Sequence, residues 1–183
     1  LVAVAADRSM MPDWGALREG KEYPIVVVSV DICGNSRLVK KHSPRVMEKV
    51  YYGLWDYLRQ HLAPCDGRIW SWAGDGGLLA FRYARDTSPA VRCCLEILLS
   101  LVVFNLRAKP IKDDIVLRIG MDAGSVKFVN DTGRIVSDVV NYAAHLEKKG
   151  TEPWGLSVSD TVYAGLTPEI KRLFCTKSQF EGR

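Results

Sequence analysis

The stretch SWAGDGGLLAF, Ser71–Phe81, decides how this chain is read. Two apolar runs meet at Gly74-Asp75-Gly76-Gly77, residues that tolerate the tight backbone angles of a two-stranded turn. Arg68–Ala73 and Leu78–Tyr83 are therefore expected to pair as a hairpin. The acid at the tip has two readings. Asp-Gly suits any hairpin, so Asp75 can serve the turn alone. It can also bind a cation, provided a second acid stands on a neighbouring strand.

That second acid is Asp31, which ends the β-branched run Pro24–Asp31 (PIVVVSVD), expected to be a buried strand. If this strand lies beside the hairpin, both carboxylates project at one edge of a sheet. Their repulsion favours a cation between them. Carboxylate oxygens suit Mg²⁺ or Mn²⁺, which leave room for phosphate oxygens. The plain alternative is that Asp31 closes a turn at Gly34-Asn35 while Asp75 serves its hairpin.

Outward from these strands, Ser43-Pro44 opens a helix running to about Leu62, with Val46, Val50, Leu54 and Leu58 at helical spacing. Ser88-Pro89 opens a second, whose Ala90, Cys94, Ile97 and Leu101 share a face. Asp114–Asp122 reads as a third strand region closed by Gly124, with Ser125–Val129 as its hairpin partner. Asp138–Lys149 has the pattern of a helix stopped by Gly150. Leu156–Ser159 is a last strand, and Ser159-Asp160 caps a final helical piece. The order βαββαββαβα predicts an α+β fold with a mostly antiparallel sheet and helices packed on it. Residues 1–20 are expected to be an N-terminal extension and 21–183 a single domain.

Composition narrows the function classes. A net charge of +4 over 183 residues is too slight for a nucleic-acid groove, though it suits an anionic small molecule. No stretch reaches the ~18 apolar residues of a membrane helix, so no membrane partner is expected. The five cysteines show no metal or redox spacing; Cys93-Cys94 reads as small core side chains in a reducing, cytoplasmic setting.

Four segments in register (VVVSVDICGNS, GRIWSWAGDGGLLAF, LRIGMDAGSV and SDVVNYAAHLEKKG) resemble the catalytic domain of class III nucleotidyl cyclases over about Glu22 to Leu166. The resemblance implies a ferredoxin-like βαββαβ core. It implies two Mg²⁺ or Mn²⁺ ions held by Asp31, Asp75 and the Ile32 carbonyl, and a nucleoside triphosphate cyclised with release of pyrophosphate. It further implies a homodimer with sites at the interface, one protomer giving the metal-binding acids and the other the helix with Asn141.

Departures from the family pattern carry the finer reading. His145 stands where the family has a transition-state Arg, and an imidazole offers one directed bond rather than a fork. The two base-selecting positions, taken six residues before Asp75 and seven before Asn141, are Ile69 and Arg134. Neither matches the adenine or guanine pattern. Ile cannot hydrogen-bond a purine, and Arg134 offers only donors, which suit the O4 acceptor of uracil. Tyr51 and Tyr52 could shorten the base pocket; helical Tyr is otherwise ordinary amphipathic surface. The chain is thus similar to the Pycsar pyrimidine cyclases. That implies UTP before CTP as substrate, and a cyclic nucleotide that activates a separate effector protein in bacterial anti-phage defence. An adenylate cyclase, or a nucleotide-binding dimer without turnover, stays open as the alternative. Lys177 and Arg183 are the nearest candidates for a C-terminal triphosphate contact, and Arg118 reads as structural.

Overall fold

The computed structural model describes residues 14–107 and 109–180. Its strands and helices are β1 (Glu22–Ile32), α1 (Asn35–Lys41), α2 (Pro44–Leu62), β2 (Arg68–Ala73), β3 (Gly76–Arg82), α3 (Ser88–Arg107), β4 (Leu117–Lys127), α4 (Asp138–Gly150), β5 (Leu156–Val158), α5 (Asp160–Ala164) and α6 (Pro168–Lys171). The sheet runs β2-β3-β1-β4-β5, antiparallel except for the β4–β5 pair. Its first four strands, with the helices between them, make the expected ferredoxin-like core of an α+β fold.

β1 is central and covered on both faces, which is why its sequence is continuously apolar rather than alternating. Val26, Val28, Val30 and Ile32 face a core built with α2 and α3. Ile25 and Val27 face the other way, into a smaller cluster with Trp70, Val126, Ile135, Val140 and Ala143. Met47, Val50, Leu54, Leu58 and Leu62 form the buried stripe of α2. Each such side chain contributes about 1.5–3 kcal/mol by leaving water. α2 is fastened to α3 by Tyr57, whose hydroxyl donates to the Ile97 carbonyl at 2.6 Å. Cys93 and Cys94 are fully buried, as small core side chains should be.

Three expectations need correction. The segment read as a hairpin, Asp114–Asp122 with Ser125–Val129, contains one continuous strand, β4. It pairs with β1 from Glu22↔Lys127 to Ile32↔Leu117, and Gly124 lies within it rather than ending it. The reason is steric: a Cβ at Gly124 would come 2.7 Å from Val139 Cγ2 of α4. Second, the chain after Gly34 forms α1, which the pattern did not predict. Third, α3 is long and apolar enough to cross a membrane by length and composition. Nine of its residues are buried, with Ile97, Leu101 and Phe104 in the α2-facing core, while Leu99, Val102, Val103 and Leu106 are exposed. Of the expected extension, residues 1–13 lie outside the described part. Trp14 packs on the domain, its indole donating to the Asp66 carbonyl at 2.9 Å and its ring meeting Trp70 edge-on.

Candidate active site

The C-terminal end of β1 and the tip of the β2–β3 hairpin stand side by side. Asp31 is paired with Gly76 on one flank and with Arg118 on the other. The Ile32 amide donates to the Asp75 carbonyl at 3.1 Å and ties the turn to the strand. Gly74 takes a left-handed conformation (φ 63°), as the tight turn requires. At Gly76 a Cβ would sit 2.6 Å from the Val30 carbonyl and 3.1 Å from Asp31 Oδ1, so only glycine keeps that space open. The turn therefore places Asp75 beside Asp31. Burial first, and then the charge of Asp75, push the Asp31 carboxyl above the usual range, while Arg118 opposes them. Asp75 has no salt-bridge partner among the described residues.

Arg118 takes a larger part than the sequence suggested. Its Nη2 donates to Asp31 Oδ2 at 2.9 Å and its Nε to Glu147 Oε1. Glu147, on the last turn of α4, is 6% exposed, and its second oxygen faces the Ser29 hydroxyl at 3.5 Å. Burial raises the Glu147 carboxyl, and Arg118 works against that rise. An ion pair across three elements is invisible to local pattern, so no sequence signal marked Glu147.

α4 is seated on β4 through two glycines. A Cβ at Gly120 would meet the Glu147 amide nitrogen at 2.3 Å and the Ala143 carbonyl at 2.5 Å, and Gly124 makes the same allowance for Val139. The Ser137 hydroxyl caps the helix by accepting from the Val140 amide at 3.2 Å, with Asp138 in the first turn and Lys148 and Lys149 in the last. Val140, Ala143, Leu146 and Glu147 are its buried residues. Asn141 and His145, one helical turn apart, are exposed, on the side turned away from the sheet that carries Asp31. One chain thus brings Asp31, Ile32 and Asp75 together but directs Asn141 and His145 elsewhere.

A cavity of about 660 Å³ opens beside the hairpin tip, lined by Met47, Tyr51, Tyr52, Trp55, Trp72 and Gly74 among others. The Tyr51 hydroxyl donates to Asn35 Oδ1 at 2.8 Å, whereas Tyr52 is largely exposed. The Trp72 indole N–H is buried without a hydrogen-bond partner. Ile69 is half-buried and packs into the α2–α3 core. A bulge after Ile69 turns Ser71 to the opposite face, opposite Leu78, and its hydroxyl lies 3.8 Å from where a Gly133 Cβ would stand. Arg134, next in the chain, is exposed, and its turn is held to β2 by Thr132, whose hydroxyl donates to the Trp70 carbonyl. Ser71, like Trp70 and unlike Ile69, is on the Arg134 side.

Among the described residues, no group of three or more His, Cys, Asp or Glu side chains could hold a metal ion. The hard-oxygen set on offer is the Asp31–Asp75 pair with the neighbouring backbone. It suits a divalent cation, since Asp31 Oδ1 lies clear of Arg118 beside Gly76 and the side chain is 26% exposed. Lys177 pairs with Asp160 at 3.3 Å, and Arg183 lies outside the described residues.

No protein-family model and no curated protein matches the sequence. Solved structures do. An adenylate/guanylate cyclase/hydrolase from Silicibacter pomeroyi is 27% identical, with 86% of this chain and 85% of that one covered at a TM-score of 0.63. The guanylate cyclase domain of RhGC from Catenaria anguillulae, solved in complex with GTP, is 22% identical over 79% and 83% at 0.71. The adenylyl cyclase CyaB from P. aeruginosa is 20% identical over 79% and 81% at 0.69. The chain has the class III cyclase fold.

Proposed function

We propose that this chain is a metal-dependent nucleotidyl cyclase that converts a pyrimidine nucleoside triphosphate, UTP before CTP, to its 3′,5′-cyclic monophosphate and pyrophosphate. The observation that carries the reading is the meeting of Asp31 and Asp75 at one sheet edge within a class III cyclase fold. In this proposal Asp31, Asp75 and the Ile32 carbonyl hold two Mg²⁺ or Mn²⁺ ions. Bound there, such ions would neutralise the triphosphate and acidify the ribose 3′-OH. The 3′ oxygen, its proton passing to water, then bonds to the α-phosphorus as the bond to the departing pyrophosphate breaks. No covalent enzyme intermediate is needed.

The remaining groups come from a second copy. Arg134, Asn141 and His145 are exposed, as is the aliphatic Val136 at 84% exposure, so a protomer laid over this side would bury an apolar contact and complete the site. Asn141 orients the ribose and His145 donates one hydrogen bond to a phosphate oxygen. The cavity beside the hairpin tip receives the nucleotide, with Tyr51 and Tyr52 limiting its depth. With Arg134 comes Ser71 of the same copy, which takes over the base contact expected at Ile69 and whose hydroxyl can both donate and accept. Arg134 favours O4 of uracil. The amino groups of adenine and cytosine would set donor against donor, and an unmade bond in a dry pocket costs about 1–3 kcal/mol. In keeping with the Pycsar resemblance, the enzyme works in the cytoplasm and its product acts on a separate effector protein. A purine-cyclase reading draws its own support from the adenylyl and guanylate cyclases that share the fold.

The test is complementation. Asp75→Asn and Asn141→Ala are each expected to abolish cyclisation with Mn²⁺ and a triphosphate. Co-expressed, they should regain about a quarter of wild-type activity, because about half of randomly assembled dimers are mixed and each holds one intact site. If neither variant loses activity, or the mixture gains none, the composite cyclase site is wrong.

A further inference from the structure

We propose that Glu147 is a positioning residue for the divalent-cation site: by holding Arg118 it keeps the guanidinium from occupying Asp31 fully. The inference rests on the proposed metal site at Asp31 and Asp75. Its ground is the division of one guanidinium between two carboxylates. Nε bonds Glu147, and Asp31 receives a single bond, from Nη2 to Oδ2 at 2.9 Å. An Arg free to orient takes a carboxylate bidentately, through two parallel N–H donors. Here that arrangement would cover both Asp31 oxygens and set a fixed positive charge where a cation must bind.

Glu147 prevents it by position. Its carboxylate is almost wholly buried, kept beneath the sheet by the contact of α4 with Gly120, and its other oxygen faces Ser29. Arg118 is itself only 24% exposed, and it divides two of its five N–H donors between these two acids. With Glu147 neutralised, the whole guanidinium charge falls to Asp31, the one acid left beside it. A cation arriving at Asp31 would then displace a full ion pair instead of a shared one. Outer-shell partners of this kind typically change metal affinity by about 10–100-fold.

The experiment is direct Mn²⁺ binding without nucleotide, by electron paramagnetic resonance of free Mn²⁺. Glu147→Gln should weaken binding about tenfold. In an Arg118→Met background the same substitution should change nothing, since the competing cation is gone. A purely structural role for Glu147 would weaken binding in both backgrounds. Glu147→Asp withdraws the charge by one methylene and should weaken binding less than the Gln variant; it also serves if Glu147→Gln does not fold. Unchanged affinity in the Glu147 variants, or an equal loss with and without Arg118, overturns the proposal. Asp75→Asn separates the two readings. If it binds Mn²⁺ like wild type, the metal site itself fails. If it loses binding while Glu147→Gln does not, only the role of Glu147 falls.

Discussion

Gly120→Ala is the sharpest perturbation of the scaffold. The added methyl carbon would lie 2.3 Å from the Glu147 amide nitrogen, 2.5 Å from the Ala143 carbonyl oxygen and 2.7 Å from the Glu147 Cα. Comfortable contacts are about 3.5 Å or more, so α4 must lift by about 1 Å. All three atoms are backbone, and none can rotate aside. Overpacking costs about 1–3 kcal/mol in general, and a clash with helix backbone belongs at the upper end. For a chain of this length each kcal/mol moves Tm by about 2–4 °C, so a fall of about 6–12 °C is expected. The assay is thermal unfolding followed by far-ultraviolet circular dichroism. Lifting α4 also draws Glu147 away from Arg118, so Mn²⁺ affinity should fall with Tm. A Tm within about 2 °C of wild type would refute the seating of α4 on this glycine.

Gly124→Ala is expected to cost less, because its methyl meets only the tip of Val139, 2.7 Å away, which can change rotamer; a Tm loss equal to that of Gly120→Ala would contradict this ranking. Asp113 accepts from Lys41 at 2.7 Å and His42 at 2.8 Å, and these bonds hold its carboxyl at about 2. A depressed acid contributes stability above its unfolded value of about 3.9 and loses it as pH falls through the folded value. The Tm difference between wild type and Asp113→Asn should therefore shrink between about pH 4 and pH 2. A constant difference across that window would show that the bonds do not shift the acid.

Much of the fold could be read from the chain because its signals are local. The β-branched run of Ile25–Val30 declares a strand buried on both faces, and the glycines around Asp75 declare a turn. What escaped depends on long-range packing. Gly124 looks like a stop in a linear reading, but it is the clearance for Val139 on another element. Residues 69 and 71 would share a face in a regular strand; the bulge between them separates a core residue from a site-facing one, and alternation cannot announce a bulge. The pairing of Asp31 and Asp75 was legible as a possibility, since it needed only that two strands be neighbours. The Arg118–Glu147 pair was not, because it joins the middle of the sheet to a helix end.

The decisive measurement supplies the purified chain with Mn²⁺ and, separately, UTP, CTP, ATP and GTP, and identifies each product by mass. A cyclic monophosphate is expected fastest from UTP, with release of pyrophosphate. Fastest conversion of ATP or GTP would contradict the base assignment to Arg134 and Ser71, and no cyclic product from any of the four would contradict the enzyme itself.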